Sequence, residues 1–121
     1  GFAIPNLKTA QEFTKTQNFN ATSLTDDVNI AWDASSNQVA KVTLGGNRTL
    51  SAATNQVDGA VYVLSVTQDG SGSRTLSFNS NYKFTGGTAP TLTTTASATD
   101  ILVFLSNGTN MQEIGRSLNV S

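Results

Sequence analysis

Carboxylates are the main candidates for acid–base chemistry in this sequence, which contains eight of them and neither histidine nor cysteine. Without histidine there is no Ser-His-Asp triad and no imidazole metal ligand, and without cysteine there is no disulfide or thiolate ligand. A polysaccharide hydrolase would need two carboxylates that face each other across a cleft. Asp27 and Asp33 only flank a predicted strand, and other aspartates lie in turns, where they usually cap backbone amides. We therefore predict that the protein is not an enzyme.

Loops that bind metal ions or phosphate have characteristic spacings, and this sequence does not match them. Asp26-Asp27 and the stretch 69–73 offer oxygen ligands, but they lack the alternating acidic residues of a calcium loop. The pairs Gly45-Gly46 and Gly86-Gly87 are not followed by the Lys-Ser/Thr of a phosphate-binding loop. We predict no metal site and no cofactor.

Aromatic side chains are the remaining candidates for a binding site, since they could stack on a sugar ring. The larger set is Trp32, Tyr62, Phe78, Tyr82 and Phe84. We favour core packing for this set, because such side chains bury large areas. Tyr82 and Phe84 lie beside the Gly86-Gly87 loop and are expected to be the most exposed. In a glycan or partner contact these two rings would stack, and Asn79 and Asn81 would supply hydrogen bonds.

The composition predicts an ordered β-protein with a polar, uncharged surface. Thr, Ser, Asn and Gly make up 53 of 121 residues, and threonine leads with 18. Threonine favours strands, and the other three favour turns. The net charge of −1 argues against nucleic-acid binding, which needs a basic surface. No apolar run approaches the roughly 20 residues of a membrane span.

Alternating apolar residues predict a series of half-buried strands that must position any site. Residues 1–20 are expected to form an N-terminal arm, and residues 21–121 a β-domain. The arm is expected to be partly helical over 7–13 with Asn6 as its cap, or extended, and the alternation from Phe13 to Asn20 predicts a half-buried strand. The expected strands lie around residues 28–32 and 42–44, and over 61–68, 74–78, 101–105 and 111–115. Glycine-containing connections at 69–73 and 106–110 predict two hairpins. The fold class is therefore predicted as an antiparallel β-sandwich or barrel-like module.

The sequence Arg-Thr-Leu-Ser occurs twice behind a glycine-bearing turn, at residues 48–51 and 74–77. We predict that both copies leave similar turns and enter strands with Leu50 and Leu76 pointing inward. The alternative is a pair of equivalent arginine sites for an acidic ligand. Two short copies do not establish a solenoid.

Residues 27–115 resemble a β-module of tailed-bacteriophage structural proteins, among them tail fibres. The matching motifs are NRTL (47–50), DGAVY (58–62), QDG (68–70), RTLSF (74–78), YKF (82–84), GGTAPTLT (86–93), DIL (100–102) and NGTN (107–110). The resemblance implies an all-β module in the virion, commonly a homo-oligomer, without catalytic residues. The short chain suits either a capsid decoration (cement) protein or the end of a fibre.

The sequence therefore predicts a non-enzymatic virion component that either decorates the capsid surface or forms part of a tail fibre. Its expected partners are further copies of itself, as a homotrimer or another homo-oligomer, and other virion proteins such as the major capsid protein or fibre components. The alternative is a carbohydrate-binding fibre tip that recognises a host surface glycan. A polysaccharide-degrading enzyme is the reading least supported by the residues.

Overall fold

The computed structural model describes residues 14–120, and strands make up nearly all of their regular structure. The nine strands are β1 (Ala21–Ser23), β2 (Asn29–Ile30), β3 (Val39–Leu44), β4 (Arg48–Leu50), β5 (Val61–Gln68), β6 (Leu76–Phe78), β7 (Tyr82–Lys83), β8 (Thr99–Ser106) and β9 (Met111–Ser117). One short 3-10 turn spans Thr85–Gly87. Within the described part of the chain, no helix is long and apolar enough to cross a membrane.

The first six strands form a short parallel coil, because the chain alternates between two sheets. β1, β3 and β5 pair in parallel in a six-stranded sheet, which we call the large sheet. β2, β4 and β6 pair in parallel in a three-stranded sheet, the small sheet. Each turn of the coil thus contributes one strand to each sheet, and three turns stack on one another.

An antiparallel hairpin completes the large sheet. β8 pairs antiparallel with β5, β9 pairs antiparallel with β8, and β7 joins the far side in parallel with β9. The resulting strand order is β1-β3-β5-β8-β9-β7. A β-bulge follows Val103, where Val103 faces Gly115 but Phe104 faces Glu113. Ile114 is therefore an extra residue on β9, as is usual at a bulge.

The core lies between the two sheets and is built by alternate residues of each strand. Fully buried side chains include Ile30, Trp32, Leu44, Leu50, Leu64, Leu102, Phe104 and Met111. Burial alternates strictly along β5 and β8, as expected for side chains that point to opposite faces. Each fully buried aliphatic side chain contributes about 1.5–3 kcal/mol to folding, so this core supplies the main stabilising term.

The predicted all-β, sandwich-like class is confirmed, but most strand directions differ from the prediction. Only β5–β8 and β8–β9 are antiparallel, and the other five pairings of the described strands are parallel. The hairpin at 106–110 is confirmed, whereas the one predicted between 61–68 and 74–78 is wrong, because β6 pairs with β4 in the other sheet.

A buried glutamine fixes the segment that follows β5. The side-chain amide of Gln68 accepts from Arg74 N and donates to Arg74 O and Thr93 O, each at 2.9 Å. No strand can return beside β5, because β3 and β8 pair with its two edges. The chain crosses to the small sheet, and the bonds of Gln68 hold the crossing segment in place.

The residues before β1 and before β2 also differ from the prediction. Residues 14–20 form no strand, and Val28 is 63% exposed although it was expected on an inward face. The helical turns predicted over 7–13 lie outside the described residues. The boundary between an arm (1–20) and a β-domain (21–121) stays a prediction.

The two Arg-Thr-Leu-Ser copies occupy neighbouring strands of the small sheet. Leu50 and Leu76 are both buried, as predicted. Arg48 pairs with Leu76 in the register, so the copies are offset by two residues. The repeated Arg-Thr-Leu-Ser sequence therefore lies in successive turns of the coil. Two short copies in the sequence were not enough to predict this arrangement.

Candidate functional site

Tyr82, the leading predicted contact residue, belongs to the core. Its side chain is 3% exposed, and its ring stacks on Trp32 with centroids 6.3 Å apart and planes 13° from parallel. Its hydroxyl donates to Ser51 O at 2.7 Å. Burial raises the pKa of Tyr82 well above its ordinary value. The expectation that Tyr82 is exposed is wrong, and core packing is confirmed for this ring.

The other three predicted contact residues lie near Tyr82 but present little common surface. Phe84 is half-buried and packs edge-on against Phe78, with ring centroids 4.9 Å apart. Asn79 is exposed, but its Oδ1 accepts from Asn81 N at 3.1 Å within a turn. A glycan or partner contact by these four residues stays a prediction, with Asn79 as its most accessible member.

The glycine-containing loop after Phe84 is fastened to β9. Glu113 is buried and accepts from Thr85 N at 3.2 Å and from Arg116 Nη2 at 2.6 Å. Arg116 also donates to Thr88 O at 3.1 Å. The loop is thus held to β9 at Thr85 and at Thr88.

The turn aspartates are used inside the fold. Asp26 binds Arg48 at 2.8 Å, and Asp69 binds Arg74 at 2.9 Å, so each arginine of the repeated motif is tied to an aspartate near its own turn. The arginine side-chain hydrogen bond lowers the pKa of each aspartate. This pairing disfavours the alternative of two arginine sites for an acidic ligand.

Two further aspartates also bond to nearby backbone and side chains. Asp33 accepts from Ser35 and Asn55, and the hydrogen bond from Ser35 is the main cause of its lowered pKa. Buried Asp100 accepts from the backbone N–H groups of Thr93 and Asn119, each at 2.7 Å. Among residues 14–120, no group of three or more acidic side chains could hold a metal ion. These carboxylates hold loops in place.

The outer face of the large sheet carries a continuous row of small and aliphatic side chains. The register places Ala21, Val39, Val63, Val103 and Gly115 side by side across five strands. We call these five residues the aliphatic row. Val61 lies opposite Leu105 on one side of it, and Ile101 lies on the other. This surface was not predicted from the sequence.

The same face becomes polar at its other end. Thr43, Thr67 and Thr99 stand side by side, and the Oγ1 atoms of Thr67 and Thr99 are 2.9 Å apart. A groove of about 480 Å³ lies next to these threonines, along β3 and β5. Its one carboxylate, Asp26, is already engaged by Arg48. The face therefore offers an aliphatic half and a hydroxyl-rich half.

Comparison with known protein families gives a match over most of the chain. The family model described as "Putative phage tail fibre C-terminal domain" matches residues 9–111. Neither the comparison with curated proteins nor that with solved structures found a match to the chain. The matched region includes the whole coil, β8 and the first residue of β9.

Proposed function

The chain belongs to the family of phage tail fibre C-terminal domains and is therefore a virion component. We propose that it is a non-enzymatic building block of the fibre and that it assembles with copies of itself. The proposal places the chain in the tail and not on the capsid surface. Its role is to present a stable β-surface to neighbouring subunits.

One observation carries the proposal of self-assembly. Seven large apolar side chains are 43–65% exposed: Phe19, Val28, Val57, Val61, Ile114, Leu118 and Val120. Single exposed apolar residues are common on monomers, but clustered ones mark contact surfaces. Val61 and Ile114 border the aliphatic row, where half-buried aliphatic residues join them into one surface.

Glycan recognition is the alternative function, and the geometry supports it less. Tyr82 cannot stack on a sugar while Trp32 covers its ring. A glycan site at this rim would have to use Asn79, the exposed part of Phe84 and the loop 85–90. Assay of the purified protein on a glycan array, with Asn79→Ala as the matched variant, tests it. Binding that Asn79→Ala abolishes would revive this alternative.

Immunogold electron microscopy of intact phage particles tests the proposed location. Antibodies against this chain should label the tail fibres. Label confined to the head would overturn the location and favour capsid decoration. Sedimentation of the purified chain tests the other half of the proposal, since a fibre building block should have the mass of several copies.

A further inference from the structure

The aliphatic row lies on a sheet face that nothing in the described chain covers. Alternate residues of β5 and β8 are buried in the core, while the residues between them, among them Val63 and Val103, stay partly exposed. Strands with apolar residues on both faces are typical of sheets that are buried on both sides. Here the described residues cover only one side.

We infer that a second copy of this chain packs its own large sheet against this face, with the aliphatic row at the centre of the contact. This inference rests on the proposed function and names the surface through which the copies meet. Two stacked sheets pack about 10 Å apart through interdigitating side chains. The bare position of Gly115, with open space beside it, offers a recess into which a neighbouring side chain fits.

Charge supports a second copy as the occupant. Among the described outward positions of the large sheet, the charged residues are Lys41 on β3 and Lys83 on the edge strand β7. Two such faces can therefore meet with little like-charge repulsion, whereas a strongly acidic or basic partner would gain little from this surface. The nearby threonines supply the polar rim that usually surrounds an apolar contact.

The size of the face is also close to what a stable contact needs. Five strands about 4.8 Å apart and up to eight residues long at about 3.3 Å per residue give a flat area on the order of 600 Å². A standard interface buries about 800 Å² on each partner. The bulge adds Ile114, which is 56% exposed, to the same surface.

The test compares substitutions on the two outer sheet faces by sedimentation of the purified chain. Val63→Lys puts a charge at the centre of the aliphatic row. Ser77→Lys is the matched control, because Ser77 is exposed on the small sheet. Val63→Lys should reduce the mass to that of one chain, with a β-type circular dichroism spectrum retained, and Ser77→Lys should keep the wild-type mass.

Thiol labelling gives a second readout that does not require the lysine variant to fold. The chain has no native cysteine, so Val63→Cys and Ser77→Cys each carry a single thiol. At high protein concentration the Val63→Cys thiol should label about tenfold more slowly than after dilution. The Ser77→Cys rate should not change with concentration.

The outcomes separate this inference from the proposed function. An assembled Val63→Lys variant, with Val63→Cys labelling independent of concentration, overturns the inference and leaves a fibre subunit that assembles through another surface. If the wild type is monomeric and the thiol of the Val63→Cys variant is protected only in the particle, the inference is overturned in favour of contact with a different virion protein. A monomeric wild type that is absent from the tail overturns both.

Discussion

Tyr82 lies parallel to Trp32 in the core, and its hydroxyl reaches across to Ser51 O. This pair joins the start of β7 to the segment after β2. It identifies Tyr82 as a residue that stabilises the fold, although its position beside a glycine loop suggested a contact role.

Truncation of Tyr82 should therefore reduce stability. Tyr82→Ala is expected to lower the free energy of unfolding by about 3–5 kcal/mol, as for other large core residues. Tyr82→Phe keeps the stacking and loses one hydrogen bond, so its cost should be about 1 kcal/mol. Urea unfolding measures both. If Tyr82→Ala were as stable as wild type but lost binding to a glycan or partner, the assignment to the core would be wrong.

Gln68 should be among the most sensitive polar positions. Gln68→Ala leaves three backbone groups of Arg74 and Thr93 without their partner in a partly buried site, and each costs about 1 kcal/mol or more. We expect a total loss of at least about 3 kcal/mol in urea unfolding. Gln56→Ala is the control, because Gln56 makes one exposed bond to Thr109 O, and it should cost under about 1 kcal/mol. Equal losses of unfolding free energy in the two variants would show that Gln68 does not fix the segment after β5.

The turn that follows β5 also depends on Gly72. Its φ is +70°, and an added Cβ would lie 2.6 Å from Thr94 O. Gly72→Ala should cost about 2 kcal/mol or more, from backbone strain and from this clash. Gly70→Ala is the control, since nothing lies within 4 Å of its added Cβ and its φ is ordinary. Thermal melts of the two variants should differ clearly. Similar melting temperatures would contradict the close approach of Gly72 to Thr94.

The ion pair between Asp26 and Arg48 makes a pH-dependent contribution to stability. The pKa of Asp26 is lowered from 3.8 in the folded chain, chiefly by the hydrogen bond from Arg48. The contribution is thus fully present above about pH 4 and is lost as the pH falls through the lower folded value. Asp26→Asn should cost up to about 1 kcal/mol at pH 7 and less at pH 2. Chemical unfolding at the two pH values measures this. A difference between wild type and variant that is the same at both would contradict this pairing.

The strands could be predicted from the sequence, but their pairing could not. Alternation of apolar residues places Leu50 and Leu76 inward, and both are buried. However, alternation is the same in parallel and antiparallel strands, so it does not reveal that β6 continues a coil. A glycine-containing connection at 69–73 is typical of a hairpin. The tertiary pairing overrides that local signal, because β3 and β8 occupy both edges of β5 and β6 pairs with β4.

The sequence contains a pattern that indicates the surface around the aliphatic row, but this pattern can be interpreted only when the strand pairing is known. The apolar runs at 61–66 and 101–105 contain aliphatic residues at both alternating positions. That pattern is typical of strands buried on both faces. Whether the second face is covered by the same chain depends on where the other strands lie. The expected exposure of Tyr82 was wrong for a related reason, because exposure beside a loop cannot be inferred from sequence proximity to glycines.

An experimental structure of the assembled protein tests most directly whether copies of the chain meet through their large sheets. We predict that Val63 of one copy lies within about 4.5 Å of apolar side chains on the large sheet of another copy, which is the distance of ordinary apolar contact. A structure of the assembly in which Val63 and Val103 face solvent, or a chain that does not alternate between two sheets, would contradict this arrangement.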